Sequence, residues 1–169
     1  MISKIIAITL IGLSIILFVA VILRLTPAWD QILSTGNFTA VNFKNLSVPK
    51  TPNWFLACPD TYCIGATASI ASPRFAFSKN TLAIKIREII KTEGNFEIQH
   101  ESESDLDLII RTPLFRWPDL VSIKFIELGN NRSTLAIYSR SIYGRSDFQT
   151  NEKRVARWLQ ALKDTTVRN

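Results

Sequence analysis

Residues 119–140, DLVSIKFIELGNNRSTLAIYSR, contain the pattern that decides the fold. Apolar and polar side chains alternate at 121–125 and again at 135–140, and alternation with period two is typical of β-strands. Between the two segments stands Gly129-Asn130-Asn131, and glycine and asparagine tolerate positive φ. The stretch therefore predicts two antiparallel strands joined by a hairpin turn.

Further strands and two helices are predicted around this hairpin. Alternating segments lie at 96–100 and 105–110, and a short strand is predicted at 75–77. Apolar residues at helical spacing indicate one helix over about 79–92, capped by Ser78, and a second over about 148–164. The order predicts an α+β fold, an antiparallel sheet of about five strands with two helices on one face. The second face is open to solvent, covered by preceding chain, or curved around a cavity.

An uncharged apolar run precedes this domain. Residues 5–23, IIAITLIGLSIILFVAVIL, lie between Lys4 and Arg24. A bilayer core of roughly 30 Å needs about 20 apolar residues in a helix, whereas the apolar region of a cleaved signal peptide has about 7–15. No small-residue cleavage pattern follows. We therefore expect an uncleaved transmembrane signal anchor over residues 1–25, with the lipid bilayer as its partner.

The orientation of the anchor rests on few charges. Lys4 precedes the span and Arg24 follows it, so the positive-inside count is nearly balanced. The short N-terminal tail is the easier end to leave in the cytoplasm. We expect a single-pass membrane protein whose C-terminal domain lies outside the cytoplasm.

The chain between anchor and sheet is predicted to be irregular. Residues 26–72 contain prolines and several aromatic residues, so they are expected to form an extended arm. Exposed aromatic residues favour aggregation, so part of the arm, especially 53–63, is expected to pack on the globular domain. That domain is predicted to occupy residues 73–169.

Charge disfavours one class of partner. The chain has 20 Lys and Arg against 14 Asp and Glu, and two of the basic residues flank the anchor, so the remainder carries about +4. The excess is interspersed with acids, whereas a nucleic-acid binder needs a concentrated basic stripe. No nucleic-acid partner is expected.

Cys58 and Cys63 are the two cysteines of the chain. A Pro-Asp turn between them could bring the thiols within disulfide range in an oxidising compartment. Two reduced structural cysteines are the alternative. A metal site lacks ligands, because His100 is the single histidine and there is no second cysteine pair. No metal or cofactor is expected.

The stretch 139–154, SRSIYGRSDFQTNEKR, is dense in directional polar groups. Gly144 permits a tight turn, after which Ser146 and Gln149 have the spacing of a capping box, although Asp147 could cap the helix instead. The candidate residues for an anion site or a structural lock are Arg140, Arg145, Ser146, Asp147, Asn151 and Arg154.

Two interpretations of these residues remain open. In the first, Arg140 or Arg154 forms an ion pair that locks the strand to the helix, and its partner is Asp147 or Asp119. In the second, the arginines and the amides at the helix start bind an anion such as phosphate, carboxylate or a lipid headgroup.

No catalytic motif accompanies the cluster. His100 stands alone on a strand, and Asp105 and Asp107 share a strand face but belong to an acidic run typical of a solvated hairpin edge. We therefore expect a non-enzymatic binding or accessory domain for a lipid, a small anionic ligand or an envelope protein partner. The alternatives are an enzyme that acts on an anionic substrate through the Arg/Ser/Asp cluster, and a purely structural envelope component.

The motif S-R-S-x-x-G-R-S-D-x-x-x-N-x-x-R-V from Ser139 to Val155 resembles the domain-of-unknown-function family 1499, together with Cys58-Pro59, Cys63 and the Pro118-Asp119 turn. The resemblance covers roughly residues 54–162. The sequence departs from the family at 148–150, where Leu-Gly-Val is common, and the Cys58–Cys63 segment is shorter on its N-terminal side than in many members. The resemblance implies a bacterial or plastid protein, often with an N-terminal signal or membrane segment, and no established activity. With the anchor, it implies a single-pass protein of the bacterial inner membrane with a periplasmic C-terminal domain.

Overall fold

The computed structural model of the chain describes residues 2–167. The chain forms two compact units, one ending at Ser34 and the other beginning at Thr35. The first unit contains two helices, α1 (Ile2–Arg24) and α2 (Pro27–Ile32).

Helix α1 is long and apolar enough to cross a membrane. It has 23 residues and a mean hydropathy of 3.1 over its apolar window, and at 1.5 Å per residue it is about 34 Å long. Its Thr9 and Ser14 hydroxyls donate to the carbonyls of Ile5 and Leu10. The two hydroxyls within the apolar run are therefore hydrogen-bonded inside the helix, as a hydrocarbon environment requires.

The second unit is built on a six-stranded sheet in the order β2-β1-β6-β5-β4-β3. β1 and β2 are parallel, and the other neighbouring strands are antiparallel. The predicted α+β class is confirmed. The strands are β1 (Trp54–Cys58), β2 (Ile70–Ala71), β3 (Phe96–Glu101), β4 (Asp105–Arg111), β5 (Pro118–Gly129) and β6 (Arg132–Ser141).

The edge of the sheet differs from the prediction. The strand expected at 75–77 is reduced to one bridge, between Phe75 and Ser133. Two other strands, β1 and β2, lie within the segment predicted to be an extended arm, residues 26–72. β1 has five residues and pairs with β6 from Trp54 opposite Arg140. A strand this short depends on a tertiary partner, so its local sequence marks it weakly.

The β5–β6 hairpin forms where the sequence predicts it. Gly129, Asn130 and Asn131 have φ values of 77°, 53° and 53°, the positive values that these residue types adopt readily. The hairpin places β6 near the middle of the sheet, between β5 and β1.

Helices α3 (Lys79–Lys91) and α4 (Thr150–Val167) cover one face. The Ser78 hydroxyl caps α3 by accepting from the Thr81 amide at 3.2 Å. The buried side chains that join the helices to the sheet include Leu82, Ile86, Ile90, Phe125, Leu135, Ile137, Trp158 and Leu162. The two predicted helices and their shared face are present, although α4 begins two residues later than expected.

The second face is covered at β1 and β6 by the chain that precedes the sheet. Phe43 and Leu46 of this arm are buried in a cluster with Leu56, Cys58, Ala136 and Tyr138. A disulfide joins Cys58 to Cys63, with the Cα atoms 6.3 Å apart. Within the arm, Gly65 lies so close to Leu46 that a Cβ at Gly65 would be 2.6 Å from the Leu46 carbonyl oxygen.

Candidate functional site

Alternation along β6 separates the predicted polar residues onto two faces. The Ser139 hydroxyl donates to Asn151 of α4 at 2.6 Å, so Ser139 faces the helices. Arg140 points to the other side, where its guanidinium lies 4.8 Å from the centre of the Tyr138 ring. The structure therefore does not bring Arg140 to the other arginines, because consecutive strand residues point to opposite faces.

Arg154 forms a buried ion pair with Asp119. The distance from Nη2 to Oδ2 is 2.7 Å, and the two side chains are 5% and 2% exposed. Nη1 of the same guanidinium donates to the Ser139 hydroxyl at 3.0 Å and to the Asn151 amide oxygen at 2.9 Å. The last helix is thus joined to β5 and β6 by charge-assisted hydrogen bonds.

Asn151 connects this ion pair to the rest of the junction. Its side-chain amide donates to the Asn53 carbonyl at 3.1 Å, to the Ser141 hydroxyl at 3.1 Å and to the Asp147 carboxylate at 2.7 Å. Asn53 in turn donates to the carbonyls of Ser141 and Gly144. Asn53 could not be predicted from the sequence as a residue of this site, because it comes to lie beside the junction only when β1 pairs with β6.

Asp147 caps helix α4. Its Oδ1 accepts from the Gln149 amide at 3.1 Å, and Oδ2 accepts from the Asn151 amide at 2.8 Å. The Ser146–Gln149 capping box does not form, since the Ser146 hydroxyl accepts from Phe148 instead. The cap with Asp147, the alternative left open by the sequence, is the one observed.

The buried junction is internally satisfied. Within residues 2–167, no buried side-chain polar atom of Asp119, Ser139, Asn151 or Arg154 lacks a hydrogen-bond partner. Arg145 is exposed at the turn. The network accordingly has the geometry of a structural lock between the sheet and α4, with its charges already paired.

The turn before α4 holds its backbone in an unusual conformation. Phe148 and Gln149 have φ values of 52° and 65°, which cost about 1–2 kcal/mol for residues other than glycine. The Phe148 side chain is 85% exposed. The strained turn therefore presents a large apolar side chain to solvent, which makes Phe148 a candidate residue of an interaction surface.

An apolar cleft lies beside the junction. Its volume is about 610 Å³, and its walls come from the β4–β5 loop and from the segment between β6 and α4. Asp119, Ser141 and Asp147 also line it, and the Trp117 and Tyr143 rings lie 5.7 Å apart. Its exposed large apolar residues are Leu114, Phe115, Trp117 and Phe148.

A basic cavity of about 250 Å³ adjoins the apolar cleft, and the two share residues Thr112, Pro113 and Thr150. Arg157 forms an ion pair with Glu93 there, and Glu93 also accepts from the Trp158 indole at 2.7 Å. Positive charge therefore lies next to an apolar surface. The basic residues that line this cavity are Arg111, Lys153, Arg154 and Arg157.

The two carboxylates of β4 lie on the other face of the sheet. Burial alone would raise the pKa of Asp105, but the Lys124 ammonium, 2.9 Å away, and neighbouring serine hydroxyls hold it below its ordinary value. Burial raises the pKa of Asp107, with His100 and Arg140 opposing the shift. In the described part of the chain, no three histidine, cysteine or acidic residues are grouped to hold a metal ion.

The fold and junction define a two-layer α+β domain in a chain that begins with a helix able to span a membrane. The family model described as "Protein of unknown function (DUF1499)" matches residues 46–162. The chain belongs to this family. The match begins eight residues before the region of resemblance seen in the sequence, and it includes both the junction and the cysteine pair. A search of curated proteins finds no match.

Proposed function

We propose that this chain is a single-pass membrane protein whose second unit binds a lipid, with an acyl chain in the apolar cleft. The observation that carries the proposal is a cavity of about 610 Å³ bordered by large apolar side chains exposed to solvent. Ligand pockets in proteins are typically about 300–1,000 Å³ and mainly apolar. Soluble proteins rarely expose a contiguous cluster of large apolar side chains, and such a cluster marks an interaction site.

Three further features support a lipid as the occupant. Only residues 25–34 separate α1 from the second unit, so the covalent chain keeps the domain close to the bilayer that α1 would span. The cleft contains Trp117 and Tyr143, and tryptophan and tyrosine are the aromatic residues enriched at membrane interfaces. The adjacent basic cavity, which includes Lys153, offers positive charge to an anionic headgroup.

We place the second unit on the outer side of a bacterial inner membrane. The Cys58–Cys63 disulfide supports this location, because disulfides persist in oxidising compartments. In spheroplasts, added protease should digest the domain. Full protection of the domain in intact spheroplasts, with digestion only after lysis, would contradict this orientation.

The lipid proposal is tested by the lipid that the full chain retains. The protein is purified from membranes in a non-ionic detergent, and bound lipid is measured by native mass spectrometry. Phe148→Glu places a charge in the cleft, whereas Ile84→Glu makes the same change at an exposed position on α3. We expect lipid on the wild type and on Ile84→Glu, and its loss from Phe148→Glu. Equal retention by all three proteins, or no lipid on the wild type, would refute the proposal.

A further inference from the structure

A third cavity lies on the face of the sheet opposite the helices. Its volume is about 460 Å³, and it lies between residues 39–42 and 45–49 of the arm and two residues of β6, Tyr138 and Arg140. We call it the arm pocket. It is separate from the apolar cleft, which contains none of these residues.

The arm pocket contains two polar groups without partners. Tyr138 is 2% exposed, and within residues 2–167 its buried hydroxyl has no hydrogen-bond partner. The same is true of the buried Nη1 of Arg140. Buried polar groups are nearly always hydrogen-bonded, and exceptions in a native fold call for an explanation. Both side chains line the cavity, so a ligand there could supply the missing acceptor.

The charge of Arg140 is also without a close counter-ion. Arg154, Arg87 and Arg157 each form an ion pair with a carboxylate, but among the described residues no carboxylate lies within ion-pair distance of Arg140. The nearby acid Asp107 is itself buried, and burial raises its pKa. Arg140 is half-buried, and a guanidinium withdrawn from water is normally paired, so the arm pocket has the electrostatic character of an anion site.

The wall of the arm pocket is fixed in place. The Trp54 indole donates to the Pro49 carbonyl at 3.0 Å, and Phe43 and Leu46 are buried against β1 and β6. Gly65 packs directly on the Leu46 backbone. The pocket is therefore formed before any ligand enters, which lowers the cost of binding.

We propose that Arg140 and Tyr138 bind an oxyanion of the phosphate or carboxylate type in the arm pocket. A guanidinium presents its N–H groups in a fork that matches the oxygens of such a group. The Tyr138 hydroxyl donates a further hydrogen bond, and burial raises the pKa of Tyr138, so it remains a donor. The proposal is independent of the lipid in the apolar cleft.

The test uses the full chain in a non-ionic detergent at constant ionic strength. Thermal unfolding is followed with added inorganic phosphate, with acetate, and with phosphatidylglycerol mixed into the micelles. A saturable rise in the melting temperature is expected with at least one of these three ligands, because a ligand that binds the folded state stabilises it. A rise with the soluble ions identifies a free anion, and a rise with phosphatidylglycerol alone identifies a headgroup.

The variants locate the effect. Tyr138→Phe removes only the hydroxyl, and Arg140→Gln removes the charge; each should weaken binding about tenfold or more. Arg145→Gln removes one charge from an exposed arginine and should change nothing, and Phe148→Glu should bind the anion normally even where it loses lipid. If Arg140→Gln fails to fold, Tyr138→Phe still tests the proposal. The proposal would be overturned if none of the three ligands shifted the melting temperature saturably. An equal loss of anion binding in Arg145→Gln and in Tyr138→Phe would also overturn it.

Discussion

Asp105 and Asp107 stand two residues apart on one strand face, yet their surroundings oppose each other. Asp105 accepts from the Ser102 and Ser104 hydroxyls and from Lys124. Asp107 is buried, and its charged form is disfavoured. The two positions show that strand register alone does not determine acid–base behaviour; the groups that approach from neighbouring elements do.

These opposite shifts predict opposite pH dependences. The pKa of Asp107 in the folded state lies above its ordinary value of 3.8, so ionisation costs stability as pH rises through and beyond that value. Asparagine at this position cannot ionise. The free energy of unfolding of Asp107→Asn, relative to that of the wild type, should therefore increase as the pH rises from acid to neutral. The measurement is urea unfolding across this pH range.

Asp105→Asn is the matched control. The pKa of Asp105 is lowered in the folded state, so its carboxylate stabilises the fold above pH 3.8 and this contribution is lost as pH falls below it. The Asp105→Asn deficit should therefore be present at neutral pH and shrink in acid. A difference from wild type that is flat with pH for both variants would contradict the assigned environments.

The Arg154–Asp119 pair makes a second prediction at the residue scale. Arg154→Met leaves the Asp119 charge buried without its partner, which should lower the free energy of unfolding by about 3–5 kcal/mol. Arg157→Met breaks an ion pair whose arginine is largely exposed and should cost about 1 kcal/mol or less. Urea unfolding distinguishes the two, and equal costs would show that Asp119 does not depend on Arg154.

At the scale of elements, periodic segments were predictable and context-dependent ones were not. Helix α3 and the β5–β6 hairpin carry their own signals, in apolar spacing and in turn residues. Strand β1 does not, because its five residues become a strand only against β6. The same pairing brings Asn53 to the junction, whereas alternation along β6 turns Arg140 to the opposite face. The place of the junction could therefore be predicted from the sequence, but not all of its residues.

The start of α4 shows a local pattern overruled by packing. Ser146 and Asp147 are both competent caps, and the buried Asn151, which bonds Asp147, favours the second. This choice delays the helix to Thr150 and leaves Phe148 and Gln149 in the left-handed region. A pattern that two neighbouring residues satisfy equally cannot predict which of them forms the cap.

This conformation predicts that stability and binding can be separated. Gln149→Gly should raise the free energy of unfolding by up to about 1 kcal/mol, because glycine adopts positive φ without strain, and should leave lipid retention unchanged. Phe148→Gly should relieve the same strain but reduce retained lipid. Lys153→Gly, at an ordinary helical position, should instead destabilise by about 1 kcal/mol. If Gln149→Gly and Lys153→Gly are equally destabilising, the turn is not strained.

Across the second unit, one strand serves both faces of the sheet. β6 presents Ser139 and Ser141 to the helical side and Tyr138 and Arg140 to the arm. The apolar cleft and the arm pocket therefore draw on different side chains and different loops. The family match from residue 46 to 162 spans the cleft but includes only part of the arm that walls the pocket.

A change confined to the arm should accordingly affect one cavity and spare the other. In Gly65→Ala the new Cβ would lie 2.6 Å and 2.8 Å from the backbone oxygen and nitrogen of Leu46, so the arm must shift. We expect a loss of about 1–3 kcal/mol of stability and weaker phosphate or carboxylate binding, with lipid retention intact. Gly12→Ala, where the added Cβ meets no atom within 4 Å, controls for the substitution. If Gly65→Ala abolishes lipid retention as well, the two faces are coupled and the separation of the sites is wrong.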